Sequence, residues 1–156
     1  MTVKIREAVA ADLETCRQLL DELSNATGAE RGTACDAAFA QLVGEPGGGT
    51  RGRVIIAEEN AEESGEVVVL GMAAVSYNVA LRYNGEYCQL EELVVRPAAR
   101  GKNVGGLLVQ RTIDDAKARG CAEYGLYLIP TTEHNRPFYE KYGFEALGTE
   151  MRQSLL

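Results

Sequence analysis

Tryptophan is absent from the 156 residues, histidine occurs once, and proline only four times. With His134 as the sole histidine, and Cys16, Cys35, Cys88 and Cys121 scattered without a Cys-x-x-Cys pair, a Cys/His zinc site lacks convergent ligands. No metal is expected, and reduced, buried thiols are the expected state of the cysteines. No apolar run approaches the ~20 residues that cross a bilayer, and Met1 to Glu7 has no secretory pattern. A cytoplasmic protein without a membrane partner is the expectation. Basic residues are the minority, 16 against 23 acidic ones, for a net charge of −7. Such a surface repels a polyphosphate backbone, so no nucleic-acid partner is expected.

Against that acidic background, Arg96-Pro-Ala-Ala-Arg100-Gly-Lys102 carries three positive charges and no acid. A concentrated cationic spot on an acidic protein suggests a discrete anionic ligand. A solvated loop with clustered charges would look the same in isolation, so the flanking residues matter.

Hydrophobic residues make up 46% of the chain and charged ones 25%, and the length fits one domain, 1–156. Val3 to Glu7 reads as a strand. Asp12 is a plausible helix cap, followed by Leu13, Cys16, Leu19, Leu20 and Leu23 at helical spacing. That helix should end near Asn25 to Gly28, and a second should cover Asp36 to Val43. Gly44 to Gly52 is a loop by composition. Strands are expected at Val54–Ala57, from Val67 towards Tyr77, and at about Glu86–Val95, as an antiparallel meander. Gly71 should mark a bulge or a close backbone approach. A helix over Val104–Arg119 ends at Gly120, a strand covers Ala122–Ile129, a short helix runs from Glu133 to Tyr142, and a last strand spans Phe144–Gln153. The order describes an α+β domain with a mixed, mostly antiparallel central sheet flanked by helices.

The most informative stretch is Leu93-Val-Val-Arg-Pro-Ala-Ala-Arg-Gly-Lys-Asn-Val-Gly-Gly-Leu-Leu108. It is a strand, a cationic turn, and a helix opened by small residues. The first amides of a helix have no intrahelical acceptor and, with the helix dipole, make an anion site. Gly101, Gly105 and Gly106 leave those donors uncovered, and Arg100 and Lys102 would neutralise charge. The spacing fits neither a Walker loop nor a dinucleotide fingerprint. Glycines that merely permit close packing remain the structural alternative.

This segment resembles the coenzyme A-binding motif of the GNAT N-acetyltransferases, Gln/Arg-x-x-Gly-x-Gly/Ala, with Arg100 first and Gly105 last. Asn103 replaces the middle glycine and tolerates left-handed backbone. A second stretch, Asn135-Arg-Pro-Phe-Tyr-Glu-Lys-Tyr-Gly-Phe144, resembles the family's Phe-Tyr-Glu-Lys-x-Gly-Phe signature. The resemblance covers Ile5 to Met151. It implies a GNAT-type fold and an acetyltransferase using acetyl-CoA as cosubstrate, without metal. It further implies that Leu93, Val94 and Val95 pair with the pantetheine arm. Gly101, Lys102, Asn103, Val104, Gly105 and Gly106 would hold the pyrophosphate beside Arg100, and Asn135 joins the cofactor-binding set.

Amine attack on a thioester needs a neutral amine, a donor for the carbonyl oxygen, and a proton for the departing thiolate. By resemblance Tyr139 gives that proton, and the amide of Val94 or Val95 polarises the carbonyl. Strict alternation puts Glu91 and Glu92 on opposite faces of the strand, so one alone can reach the acetyl group. Family position favours Glu91 as the base. Residues 90 to 152 look most like the glucosamine-6-phosphate N-acetyltransferase branch, but Thr132 stands where that branch carries an aspartate. The acceptor is expected to be a small-molecule primary amine, and the resemblance implies a pocket walled by Asn25–Cys35 and Tyr77–Glu86; Asp21, Glu22 and Glu30 could attract a cation or be exposed helix charge, and Tyr83 and Tyr87 could line the pocket or cover the sheet. A protein or peptide acetyltransferase, or a non-catalytic coenzyme A sensor, would share these features. A homodimer is left open, with the last strand as its pairing edge.

Overall fold

A computed structural model describes residues 2–28, 34–44 and 51–155. The chain forms two compact units, Met1–Leu126 and Tyr127–Leu156.

In the first unit, strands β1 (Lys4–Glu7), β2 (Gly52–Asn60), β3 (Val67–Ala80), β4 (Gly85–Val95) and β5 (Tyr124–Leu126) lie side by side in chain order. The first four are antiparallel and β5 runs parallel to β4. Helices α1 (Leu13–Thr27) and α2 (Asp36–Leu42) supply one layer, and α3 (Val104–Arg119) packs on β2, β3 and β4. Alternation along the strands explains the layering. Val54, Ile56, Met72, Ala74 and Val94 form one buried cluster with Cys16, Leu19 and Phe39 of α1 and α2. The residues of opposite phase, Ile55, Ala57, Ala73, Val75 and Tyr77, are buried as well, as are Leu108, Val109 and Thr112 of α3. The guanidinium of Arg119, at the end of α3, lies 4.0 Å from the Tyr77 ring centroid.

The α1 stripe reads as its spacing predicts, with Cys16 and Leu19 buried and Leu13, Leu20 and Leu23 packed at the margin. Gly28 ends the helix in a left-handed conformation. Asp12 stands at the N-cap position of α1, as expected, but its side chain makes no cap hydrogen bond to that helix. Its carboxylate accepts from the Val9 amide at 2.7 Å and from both terminal nitrogens of Arg6, because the preceding residues Ala10–Asp12 form a 3-10 turn. Arg6, chiefly, holds the Asp12 carboxyl below its ordinary range.

Gly71 makes the close backbone approach expected of it, and the bulge falls beside it at Leu70. The β2–β3 register slips between Ala57 and Glu58, and a Cβ on Gly71 would lie 2.5 Å from the Val94 carbonyl oxygen. The loop expected over Gly44–Gly52 lies largely outside the described residues, and β2 already begins at Gly52.

The second unit holds a 3-10 segment, Pro130–Asn135, and helix α4 (Arg136–Glu140), where one short helix was expected. The strand expected over Phe144–Gln153 does not form; no strand is assigned after Leu126 among the described residues. Thr149 is the segment's single β-branched residue, and a strand persists only through ladder partners, which these residues lack. The strand expected at Ala122–Ile129 is limited to Tyr124–Leu126.

Candidate active site

The site begins where β4 and β5 part. Their pairing covers Cys88↔Tyr124, Gln89↔Gly125 and Leu90↔Leu126 and then stops, while β4 continues to Val95. The edge of β4 from Glu91 to Val95 therefore has no ladder partner opposite β3 among the described residues.

The phase of that edge follows from one hydrogen bond. Arg96 N–H donates to Leu70 O at 2.8 Å, so the residues in phase with Arg96 turn their backbone groups towards β3. Val94, paired with Met72, is one of them. Leu93 and Val95 point their N–H and C=O groups the other way, along the unpaired edge. Of the two amides considered for polarising a carbonyl, geometry leaves that of Val95 available.

Two residues on, the chain turns tightly through Pro97–Ala99, then through Gly101 (φ 82°) and Asn103 (φ 54°), both left-handed. Asn103 adopts this conformation as its tolerance predicts. Helix α3 follows at Val104, and its first internal acceptor is Asn103 O, taken by Leu107 N–H at 3.0 Å. Among the described residues no acceptor meets the amides of Gly101, Asn103, Val104, Gly105 or Gly106, and Asn103 makes no side-chain cap. These unengaged donors, at the positive end of a long helix, suit a doubly charged phosphate linker.

The three cations of the stretch have separate fates. Arg96 donates to Glu22 Oε1 at 3.1 Å and to the Val69 carbonyl at 3.0 Å. Lys102 is paired with Glu59 of β2. Arg100 is exposed and makes no ion pair among the described residues. Glu22, considered as an attractor for an amine, is thus engaged by Arg96; Glu30 lies outside the described residues.

The expected separation of Glu91 and Glu92 fails. Ala74 pairs with Glu92 and Val75 with Leu90, so Glu91 is a bulged extra residue. Glu92 shares the face of Ala74 through direct pairing. The Glu91 carboxylate accepts from Ser76 Oγ at 2.7 Å, and Ser76 lies in the same phase as Ala74. The bulge brings both carboxylates to one side of the sheet. Asn78 Nδ2 donates in turn to Ser76 Oγ at 3.0 Å, completing a chain Asn78–Ser76–Glu91. Sequence reading missed Ser76 and Asn78; their same-face spacing on β3 is a weak signal, because it has no meaning without the register. Tyr83 and Tyr87 stack around Arg82, whose guanidinium sits 4.6 Å and 5.2 Å from their centroids.

In the second unit the signature has a local cause. Gly143 (φ 90°) reverses the chain after α4, and Phe144 N–H donates to Tyr139 O at 3.3 Å. Phe144 then lies edge-on to Tyr139 with centroids 6.0 Å apart, and Phe138 flanks Tyr139 at 5.0 Å. Burial raises the Tyr139 phenol above its ordinary value. Asn135 immediately precedes α4, with its side chain making no cap. The Thr132 hydroxyl donates to Ile129 O at 3.1 Å within its own turn.

An open α+β sheet that feeds a helix through a turn of free amides defines the class of this protein. The chain belongs to the acetyltransferase (GNAT) family, whose model matches residues 16–144. A probable glucosamine 6-phosphate N-acetyltransferase 2 of Oryza sativa subsp. japonica is 31% identical over 98 residues. That alignment covers 63% of this chain and 57% of the rice protein, so the match spans little more than half of that relative. The glucosamine-6-phosphate N-acetyltransferase structure from Arabidopsis thaliana is 26% identical with a TM-score of 0.75, covering 99% of both chains. A transcriptional regulator structure from Bacillus halodurans C-125 is 28% identical with a TM-score of 0.79, covering 99% of this chain and 100% of that one.

Among the described residues no helix is long and apolar enough to cross a membrane, and no group of three or more His, Cys, Asp or Glu could hold a metal ion.

Proposed function

We propose that the chain transfers the acetyl group of acetyl-CoA directly to a primary amine of a small molecule. The observation that carries this reading is the run of unengaged amides, Gly101 and Asn103–Gly106, placed just beyond the unpaired edge of β4. Acetyl-CoA supplies a thioester already activated for acyl transfer. In this reading the amides after Arg100 and the Arg100 guanidinium hold the pyrophosphate. Leu93 and Val95 pair with the pantetheine arm as an added strand would. The Val95 amide polarises the thioester carbonyl, where negative charge builds during attack.

Glu91 accepts the amine proton. Ser76 engages one of its oxygens, which fixes the carboxylate while leaving the other for the substrate. Tyr139 donates to the departing thiolate, and its raised pKa keeps the proton on the phenol until then. Cys88 is no competing nucleophile, because complete burial pushes its thiol up to about 12 and keeps it neutral.

Relatives named for glucosamine 6-phosphate support a small amine as acceptor. Thr132, turned into its own backbone, offers no carboxylate to such a substrate. The test is thiol release from acetyl-CoA against glucosamine 6-phosphate, other amino sugars, polyamines and short peptides. A small amine is expected to drive release. Release with peptides alone would make this a protein acetyltransferase; coenzyme A binding without release for any amine would make it a sensor.

A further inference from the structure

The buried carboxylate of Glu59 has no part in the chemistry above. It lies near the end of β2 with 8% of its surface exposed, next to the equally buried Glu58, which is paired with Arg6 of β1. Its Oε1 accepts from Lys102 Nζ at 2.5 Å across 43 positions of sequence, and its Oε2 is buried without a partner among the described residues. Lys102 stands between Gly101 and Asn103, the two left-handed residues that shape the turn before α3. The ion pair therefore pins the middle of that turn to the sheet.

We propose that Glu59 is a positioning residue for acetyl-CoA, acting through Lys102 to hold the amides of Gly101 and Asn103–Gly106 in place. The proposal rests on the reading of that turn as the pyrophosphate site. If Lys102 swung out to a ligand phosphate, it would leave a buried carboxylate charged and unpaired, which is strongly unfavourable. Lys102 accordingly stays on Glu59 when the cofactor arrives. Its role is that of a strut, and the cation presented to the phosphates is Arg100.

A strut and a direct ligand respond oppositely to loss of the carboxylate. If Lys102 is a strut, Glu59→Gln loosens the turn and weakens binding. If Lys102 grips phosphate, the same exchange frees it from a competitor and tightens binding. Calorimetric titration of the full chain with coenzyme A should show E59Q and K102M each weakening affinity about tenfold, with E59Q/K102M no weaker than either single variant. The double variant removes both charges of the pair, so it serves if a single exchange impairs folding. With acetyl-CoA, KM should rise in step while kcat holds, a split that general destabilisation would not give. Unchanged or tighter coenzyme A binding in E59Q, or additive losses in the double variant, would overturn the proposal. Failure of the wild-type chain to bind coenzyme A would overturn the site itself, and the strut with it.

Discussion

Arg100 and Tyr139 carry separable duties under the proposed mechanism, and single exchanges should separate them. Arg100 faces solvent beside free amides, so Arg100→Glu places a negative charge where two phosphate charges are to sit. Coenzyme A affinity should fall at least about tenfold, read by calorimetry, with little change in melting temperature because the side chain supports no fold contact. Tyr139→Phe keeps the ring, and with it the edge-on packing against Phe138 and Phe144, but removes the proton. It should lower kcat roughly a hundredfold while leaving the acetyl-CoA dissociation constant in place. Because burial raises this phenol, any alkaline fall in rate caused by its ionisation should begin above its ordinary value of 10.0. A pH–rate profile of the wild type against Tyr139→Phe checks the sign.

At the scale of elements, β3 and β4 approach closely at Gly71. Gly71→Ala would drive a Cβ to 2.5 Å from the Val94 carbonyl oxygen and 3.2 Å from Val95 Cα, both backbone atoms with little room to yield. A loss of about 1–3 kcal/mol is expected in urea unfolding, together with a higher KM for acetyl-CoA, since the displaced segment is the proposed pantetheine edge. Asn103→Gly should be nearly silent, whereas Asn103→Val, β-branched at φ 54°, should cost roughly 1–2 kcal/mol. These same elements mark how far the sequence could be read. The span of α3 follows from its pattern at both ends, Asn103 and Gly120, and the stripe of α1 from its apolar spacing. The turn of unengaged amides was legible because its cause is local, resting on backbone donors at a helix start. The Glu91 bulge was not, since a bulge is a property of two strands in register and leaves no trace in one. The ties of Glu59 to Lys102 and Glu22 to Arg96 were hidden for the same reason, as each joins residues far apart in the chain. The expected last strand misled because the segment has one β-branched residue and, among the described residues, no neighbouring strand to pair with.

For the whole molecule, burial of neutral thiols sets a stability limit on the alkaline side. Cys16 and Cys88, both buried, are pushed from an ordinary 9.0 up to about 12. A folded-state pKa above the unfolded value means that the contribution is complete below about 9 and declines as pH climbs towards 12. Across that window each thiol should remove about 1.4 kcal/mol of stability per pH unit. Urea midpoints measured on either side of about pH 9 should therefore fall steeply, and Cys88→Ala should reduce the slope. The bulge on β4 has a consequence for how the chain could be rebuilt. Leu90 and Glu92 already oppose consecutive partners on β3, so excising Glu91 alone would close the ladder with every neighbour still on its own side. A protein shortened by that single residue should thread the sheet unchanged and still take up coenzyme A. It would lack only the proposed proton acceptor, as if that residue were a bead that can be slipped off the string without restringing the rest.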